Sequence, residues 1–172
     1  MRLAEELAQE IFGCEDGCVV VVGVGNEHHS DDGVGPLIIR LLENSLPKAG
    51  EHLPIAVIDG GAAPELETWR IRELAPSAVL FVDAVDFGRN PGDIALLKTE
   101  DLRADGFDTH RTPLRLTMQY LECELGAKCR LLAVQPRDVR LGSVMCPEVR
   151  SAADSIASLI IEAFKISRKI KV

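Results

Sequence analysis

The sequence predicts an α/β protein, a three-layer α/β/α sandwich built on a mostly parallel, twisted sheet of five strands. Two observations carry this. Along the 172 residues, short β-branched or aliphatic runs alternate with segments of helical periodicity, and that alternation implies βαβ units. The strand runs are continuously apolar, as strands covered by helices on both faces must be. No repeat, low-complexity stretch or Pro/Ser-rich linker interrupts the alternation, so residues 1–172 read as a single domain in which 1–16 form a helical N-terminal extension.

The elements follow in order. Residues 3–12 place Leu3, Leu7 and Ile11 on one helical face. Cys18–Val24 (CVVVVGV) is the first strand. A polar loop leads to a helix over Gly33–Leu42, with Pro36 in its first turn. Ile55–Ile58 is the second strand and ends at Asp59-Gly60-Gly61; a short helix around Pro64–Leu74 follows. Ser77–Val82 (SAVLFV) is the third strand, and the turn-rich Phe87–Asp93 leads to a strand at Ile94–Lys98. Residues 99–109 are polar and irregular. Pro113–Leu125 has a helical pattern, Arg130–Val134 is a strand stopped by Gln135-Pro136, and Pro147 to about Lys169 is a long helix with Ile156, Leu159, Ile160 and Phe164 inward.

Composition excludes several function classes. A net charge of −8 argues against nucleic acid, whose phosphates demand a basic patch. The basic run near the end (Lys165, Arg168, Lys169, Lys171) suits a helix C-terminus. Five cysteines, an odd number without zinc-ribbon spacing, do not suggest a disulfide framework or a structural zinc site. The acidic, amphipathic N-terminus is unlike a signal peptide, and no stretch is apolar enough to span a membrane. A cytoplasmic location is expected.

In sheets of this kind ligands bind beyond the carboxyl ends of the strands. There the first strand is followed by GVGNEHHSDDG (23–33). The dinucleotide fingerprint needs a glycine where His28 stands, and Asp31 and Asp32 would repel phosphate. One Asp suffices for a helix cap; the second is a carboxylate to spare. Asp59 follows the second strand, where an Asx turn through Gly60 and Gly61 is the plain reading. Asp83 follows the third, and His110 lies in a polar loop ahead of a helix. Taken singly these are caps, turns and solvated side chains. Together, Asp32, Asp83, possibly Asp59, and a His110 able to reach the same rim form a reasonable open site for a borderline divalent ion. No GxSxG elbow, no HExxH and no cysteine in nucleophile context is present, so serine, cysteine and zinc-metallopeptidase templates fail.

The ordered set GVGNEHHSDDGVGPL (23–37), IDGGAAPE (58–65), VDAVDFGRNPGDI (82–94), THRTPL (109–114) and VQP (134–136) resembles the hydrogenase maturation endopeptidases, in particular the branch serving formate-hydrogenlyase-type and archaeal enzymes. The resemblance runs from Val20 to about Pro147. It departs in the N-terminal extension and in His28-His29, where apolar residues are more usual.

The resemblance implies an endopeptidase that removes the C-terminal extension of a nickel–iron hydrogenase large-subunit precursor, acting on the folded, nickel-loaded form. It implies Asp32, Asp83 and His110 as ligands to nickel supplied by the substrate, with zinc or cadmium able to substitute in crystals. Asp59, Gly60 and Gly61 would serve recognition, and Asp32 or Asp83 would activate water in a metal-assisted hydrolysis. Two other functions fit the same residues: a non-proteolytic nickel chaperone for hydrogenase assembly, and a germination-type or nucleotide-handling α/β protein, which the acidic pair disfavours.

Overall fold

The valine run of the first strand sits at the centre of the molecule. A computed structural model describes residues 2–13, 17–46, 55–102 and 112–170. In it, strand β1 (Cys18–Val24) lies between β2 (Ile55–Gly61) and β3 (Pro76–Ala84); β5 (Lys128–Val134) follows, and β4 (Ile94–Leu97) is the far edge, giving the order β2-β1-β3-β5-β4. Val20, Val21 and Val22 are fully buried because both sheet faces are covered. Val19 and Val21 join one cluster, Val20, Val22 and Val24 the other. Burying a side chain of this size contributes roughly 1.5–3 kcal/mol, so β1 is a main source of stability.

Four strands run parallel and β4 runs antiparallel to β5. The short 85–93 connection explains the exception, since a parallel return needs a crossover of a dozen or more residues. Helices α1 (Arg2–Glu10), α2 (Val34–Ser45) and α5 (Pro147–Ile170) cover one face, and α3 (Thr68–Glu73) and α4 (Thr112–Leu125) the other. The α/β architecture expected from the sequence is therefore the one found.

Several boundaries differ from expectation. β3 runs through Ala84, because its parallel partner β5 continues to Val134 and the ladder extends with it. Asp83 thus lies inside the strand, opposite Ala133, and not after it. The segment 64–74 divides into a 3-10 turn, Pro64–Glu67, and the short α3; the Thr68 hydroxyl donates to the Glu65 carbonyl at 2.9 Å across the junction, a local bond that competes with regular helix.

The N-terminal helix is tied into the body. Leu7, Ala8, Ile11 and Phe12 join the α5-side core, and the Phe12 and Phe164 rings meet edge-on at 5.8 Å. Arg130 on β5 donates to Glu10 at 2.6 Å, and that bond holds the Glu10 carboxyl below its usual range. Along α5, Val149, Ala153, Ile156, Ile160 and Phe164 are buried at three- and four-residue spacing, the period of one helical face.

Candidate active site

The site is built where β1 ends. The first turn of α2 crosses β1 at close range: a Cβ on Gly35 would come within 2.2 Å of the Val24 carbonyl oxygen, and one on Gly23 within 2.5 Å of the Gly35 carbonyl oxygen. This approach brings the 3-10 turn Ser30–Gly33 over the strand ends and against β3. Gly25 makes the reversal between them with φ +129°, a backbone conformation that favours glycine.

Asp31 and Asp32 divide the work differently from the expected cap. Neither caps the helical turn it belongs to or α2: no side-chain cap bond forms at the start of either. Asp31 is fully buried. Its Oδ2 accepts the N–H of Arg137 at 2.7 Å and of Asp138 at 3.0 Å, and its Oδ1 accepts the N–H of Cys146 at 2.7 Å. Backbone donors of this kind make burial of a carboxylate tolerable. Asp32 is partly exposed. Its Oδ2 accepts the Asn26 N–H at 2.7 Å, and among the described residues its Oδ1 accepts no hydrogen bond. Asp31 serves the fold, and Asp32 is the carboxylate to spare.

Asp83 is 7% exposed and shares the pleat parity of Val79 and Phe81, which belong to the core on the α3–α4 side. Asp59 is exposed at the end of β2, opposite Gly23. It shares the parity of Ile55 and Val57, on the α2 side, and its Oδ1 accepts the Gly61 N–H at 3.0 Å. That is the Asx turn read from the sequence, with Gly61 at φ +54°. Asp59 and Asp83 thus flank the end of β1 on opposite pleat faces. His110 lies outside the described residues. Among the described residues no three His, Cys, Asp or Glu side chains are grouped so as to hold a metal ion.

Two residues escaped the sequence reading. Gln135 is 5% exposed and organises the loop after β3. Its Oε1 accepts the N–H of Phe87 at 2.9 Å and of Arg89 at 3.1 Å; its Nε2 donates to Asp86 at 3.0 Å and to the Pro136 carbonyl at 3.1 Å. A polar side chain between the last strand residue and a proline was the available signal. Ser30, at φ +54°, donates from its hydroxyl to the Val144 carbonyl at 3.0 Å. The Gly142 N–H donates to the His28 carbonyl at 2.8 Å. The turn bearing Asp32 is thereby joined to the 137–146 connection, from which Leu141 and Val144 project 72% and 90% exposed.

For three of the cysteines, thiolate chemistry is disfavoured by environment. Burial, with a smaller contribution from Glu122, pushes the Cys129 thiol up to about 12. Burial also raises Cys18 and Cys146. A thiol held protonated is a poor nucleophile. Cys14 lies outside the described residues.

Comparison with known proteins identifies the lineage. The HycI hydrogenase maturation protease family model matches residues 37–163. The chain is 36% identical over 139 residues to the hydrogenase 3 maturation protease of Escherichia coli K12, covering 80% of this chain and 85% of that protein. It is 26% identical over 166 residues to a putative hydrogenase maturation protease of Methanocaldococcus jannaschii, covering 93% and 95%. The crystal structure of a [NiFe] hydrogenase maturation protease HycI from Thermococcus kodakarensis superposes with TM-score 0.83 at 25% identity, covering 93% of this chain and 99% of that one. The crystal structure of a hydrogenase 3 maturation protease gives 0.71 at 34%, covering 83% and 88%. With the family model spanning most of the fold and a curated relative above a third identical, the chain belongs to the hydrogenase maturation protease family.

Proposed function

We propose that this chain is an endopeptidase that removes the C-terminal extension of a nickel–iron hydrogenase large-subunit precursor, and that it recognises the nickel the precursor carries. The observation that carries the reading is the division of labour in the acidic pair. With Asp31 committed to backbone donors, Asp32 is left half-exposed at the carboxyl end of the central strand with one oxygen engaged. Asp32 and Asp83, with His110, are a donor set of carboxylates and imidazole that suits a borderline divalent ion. Asp32, Asp83 and His110 would hold the nickel brought by the substrate, which would supply Lewis-acid chemistry at the scissile carbonyl. Asp32 or Asp83 takes the proton of the attacking water, and Asp59-Gly60-Gly61 contributes to recognition of the precursor. The proposed action is on a precursor in the cytoplasm; no helix among the described residues is long and apolar enough to cross a membrane.

The experiment is incubation of the purified chain with nickel-loaded and nickel-free large-subunit precursor, followed by intact-mass measurement. Shortening of the loaded form alone is the expected result. Nickel transfer without shortening would establish a chaperone instead, and equal cleavage of both forms would remove nickel from the mechanism.

A further inference from the structure

We infer that Asp31 is a positioning residue: by gripping the β5–α5 connection it fixes the turn that presents the Asp32 carboxylate. The inference rests on the reading of Asp32 given above.

The grip is made at both ends of the connection. Arg137 and Asp138 lie just after β5 and Cys146 just before α5, and all three backbone N–H groups donate to the one Asp31 carboxylate. The Asp31 N–H returns a bond to the Asp138 carbonyl at 3.1 Å. The residues before it hold points between: Ser30 the Val144 carbonyl, and the His28 carbonyl the Gly142 N–H. Ser30 keeps a left-handed backbone in doing so, a conformation that persists where its surroundings over-determine it. Among the described residues Asp32 makes no bond to the connection. Its N–H donates to the His29 carbonyl at 3.1 Å, and among the described residues its side chain is held by the Asn26 N–H alone. The direction of the Asp32 carboxylate is therefore set by the backbone of its turn, and that backbone is set by what Asp31, Ser30 and His28 hold. Loosening Asp31 should reach Asn26, more than 100 residues away in sequence from the connection.

Asp31→Asn tests this, because it keeps the side-chain shape and turns one acceptor into a donor facing N–H groups. Amide exchange of the whole chain is followed by NMR, and cleavage of nickel-loaded precursor is measured in parallel. Positioning predicts that protection at Asn26 falls about tenfold or more, together with that at Arg137, Asp138 and Cys146. It also predicts that kcat drops by a comparable factor with KM within about twofold. An Ile160 variant chosen for the same loss of Tm, remote in the α5 core, should move neither. If the connection loosens while Asn26 stays protected, Asp31 is a loop tether and the inference falls. Should Asp31→Asn fail to fold, wild-type exchange in mild denaturant decides: the four amides should share one opening step, and an Asn26 amide opening far more readily than the other three overturns the idea. A wild-type protein that shows the exchange pattern but never shortens precursor sinks the proposed activity and leaves the coupling standing.

Discussion

Gly25 and Asp32 meet where no side chain fits: a Cβ on Gly25 would lie 1.8 Å from the Asp32 carbonyl oxygen. The glycine also carries φ +129°, so two separate constraints fall on one residue. Gly25→Ala should lower stability by about 3 kcal/mol or more, combining strained backbone with a clash that only movement of the turn relieves. Any folded fraction should cleave poorly, since relief displaces Asp32. Urea unfolding with a cleavage assay on the same preparation checks both, and a loss under about 1 kcal/mol would show that the turn yields easily.

The two neighbouring carboxylates should separate cleanly by mutation. Asp31→Ala leaves three backbone N–H groups, that of Cys146 buried, without their acceptor, and unfolding free energy should fall by about 3 kcal/mol or more. Asp32→Asn disturbs one partly exposed bond and should cost about 1 kcal/mol or less while abolishing cleavage. A stable Asp31→Ala protein, or an active Asp32→Asn protein, would reverse the assignment of roles.

This separation marks the boundary of what the amino-acid pattern reveals. The valine run of β1 and the α5 face announce themselves because apolar periodicity is local. The pair Asp31-Asp32 announces a surplus carboxylate but not which of the two is surplus. The partners of Asp31 are backbone N–H groups 106 to 115 positions along the chain, and backbone donors leave no signature in side-chain identity. Asp83 was one residue outside its strand for a related reason: the end of β3 is set by the reach of β5, a tertiary fact. The antiparallel β4 was hidden likewise, since orientation follows from the short 85–93 connection.

The cysteines should sort by accessibility alone. Cys123 is exposed, Cys129 is buried and held near 12. Brief alkylation at neutral pH should label Cys123 before Cys18 and Cys146 and leave Cys129 untouched until unfolding, as intact-mass and peptide analysis would show. Cys18→Ala, Cys129→Ala and Cys146→Ala should each keep cleavage, with losses of about 1 kcal/mol from the removed sulfur. Loss of cleavage in any of the three, with the fold intact, would reopen a thiol mechanism.

Glu10 gives a pH dependence of known sign. The Arg130 bond lowers its folded pKa below the ordinary value of 4.5. A depressed carboxylate contributes stability above its unfolded pKa, and loses it as pH falls through the folded value. Its share should thus be present at neutral pH and disappear in acid below 4.5. Glu10→Gln should flatten the stability profile only in that acidic window. The carboxylate is more than a third exposed, so the effect is small and sensitive to salt. An unchanged profile would mean that the pair is not maintained in solution.

On the proposed function, nickel should come with the precursor and not with the enzyme. The proposed ligand set is two carboxylates, Asp32 and Asp83, and one imidazole, His110. Such a set competes poorly for nickel against thiolates or more numerous nitrogen ligands. A nickel ion already held by thiolates in the precursor can still accept these ligands in its vacant positions. The protein alone, desalted after exposure to nickel, should retain less than about a tenth of an equivalent, and prior treatment with a chelator should leave its activity on loaded precursor unchanged. His110→Ala should keep the wild-type Tm within about 2 °C, as polar-residue substitutions away from a core usually do, and should fail to shorten loaded precursor. Metal analysis by mass spectrometry, thermal unfolding and the cleavage assay together read these four outcomes. Stoichiometric nickel retained by the isolated chain, with activity lost on its removal, would make the ion a resident cofactor and not the signal that the precursor is complete.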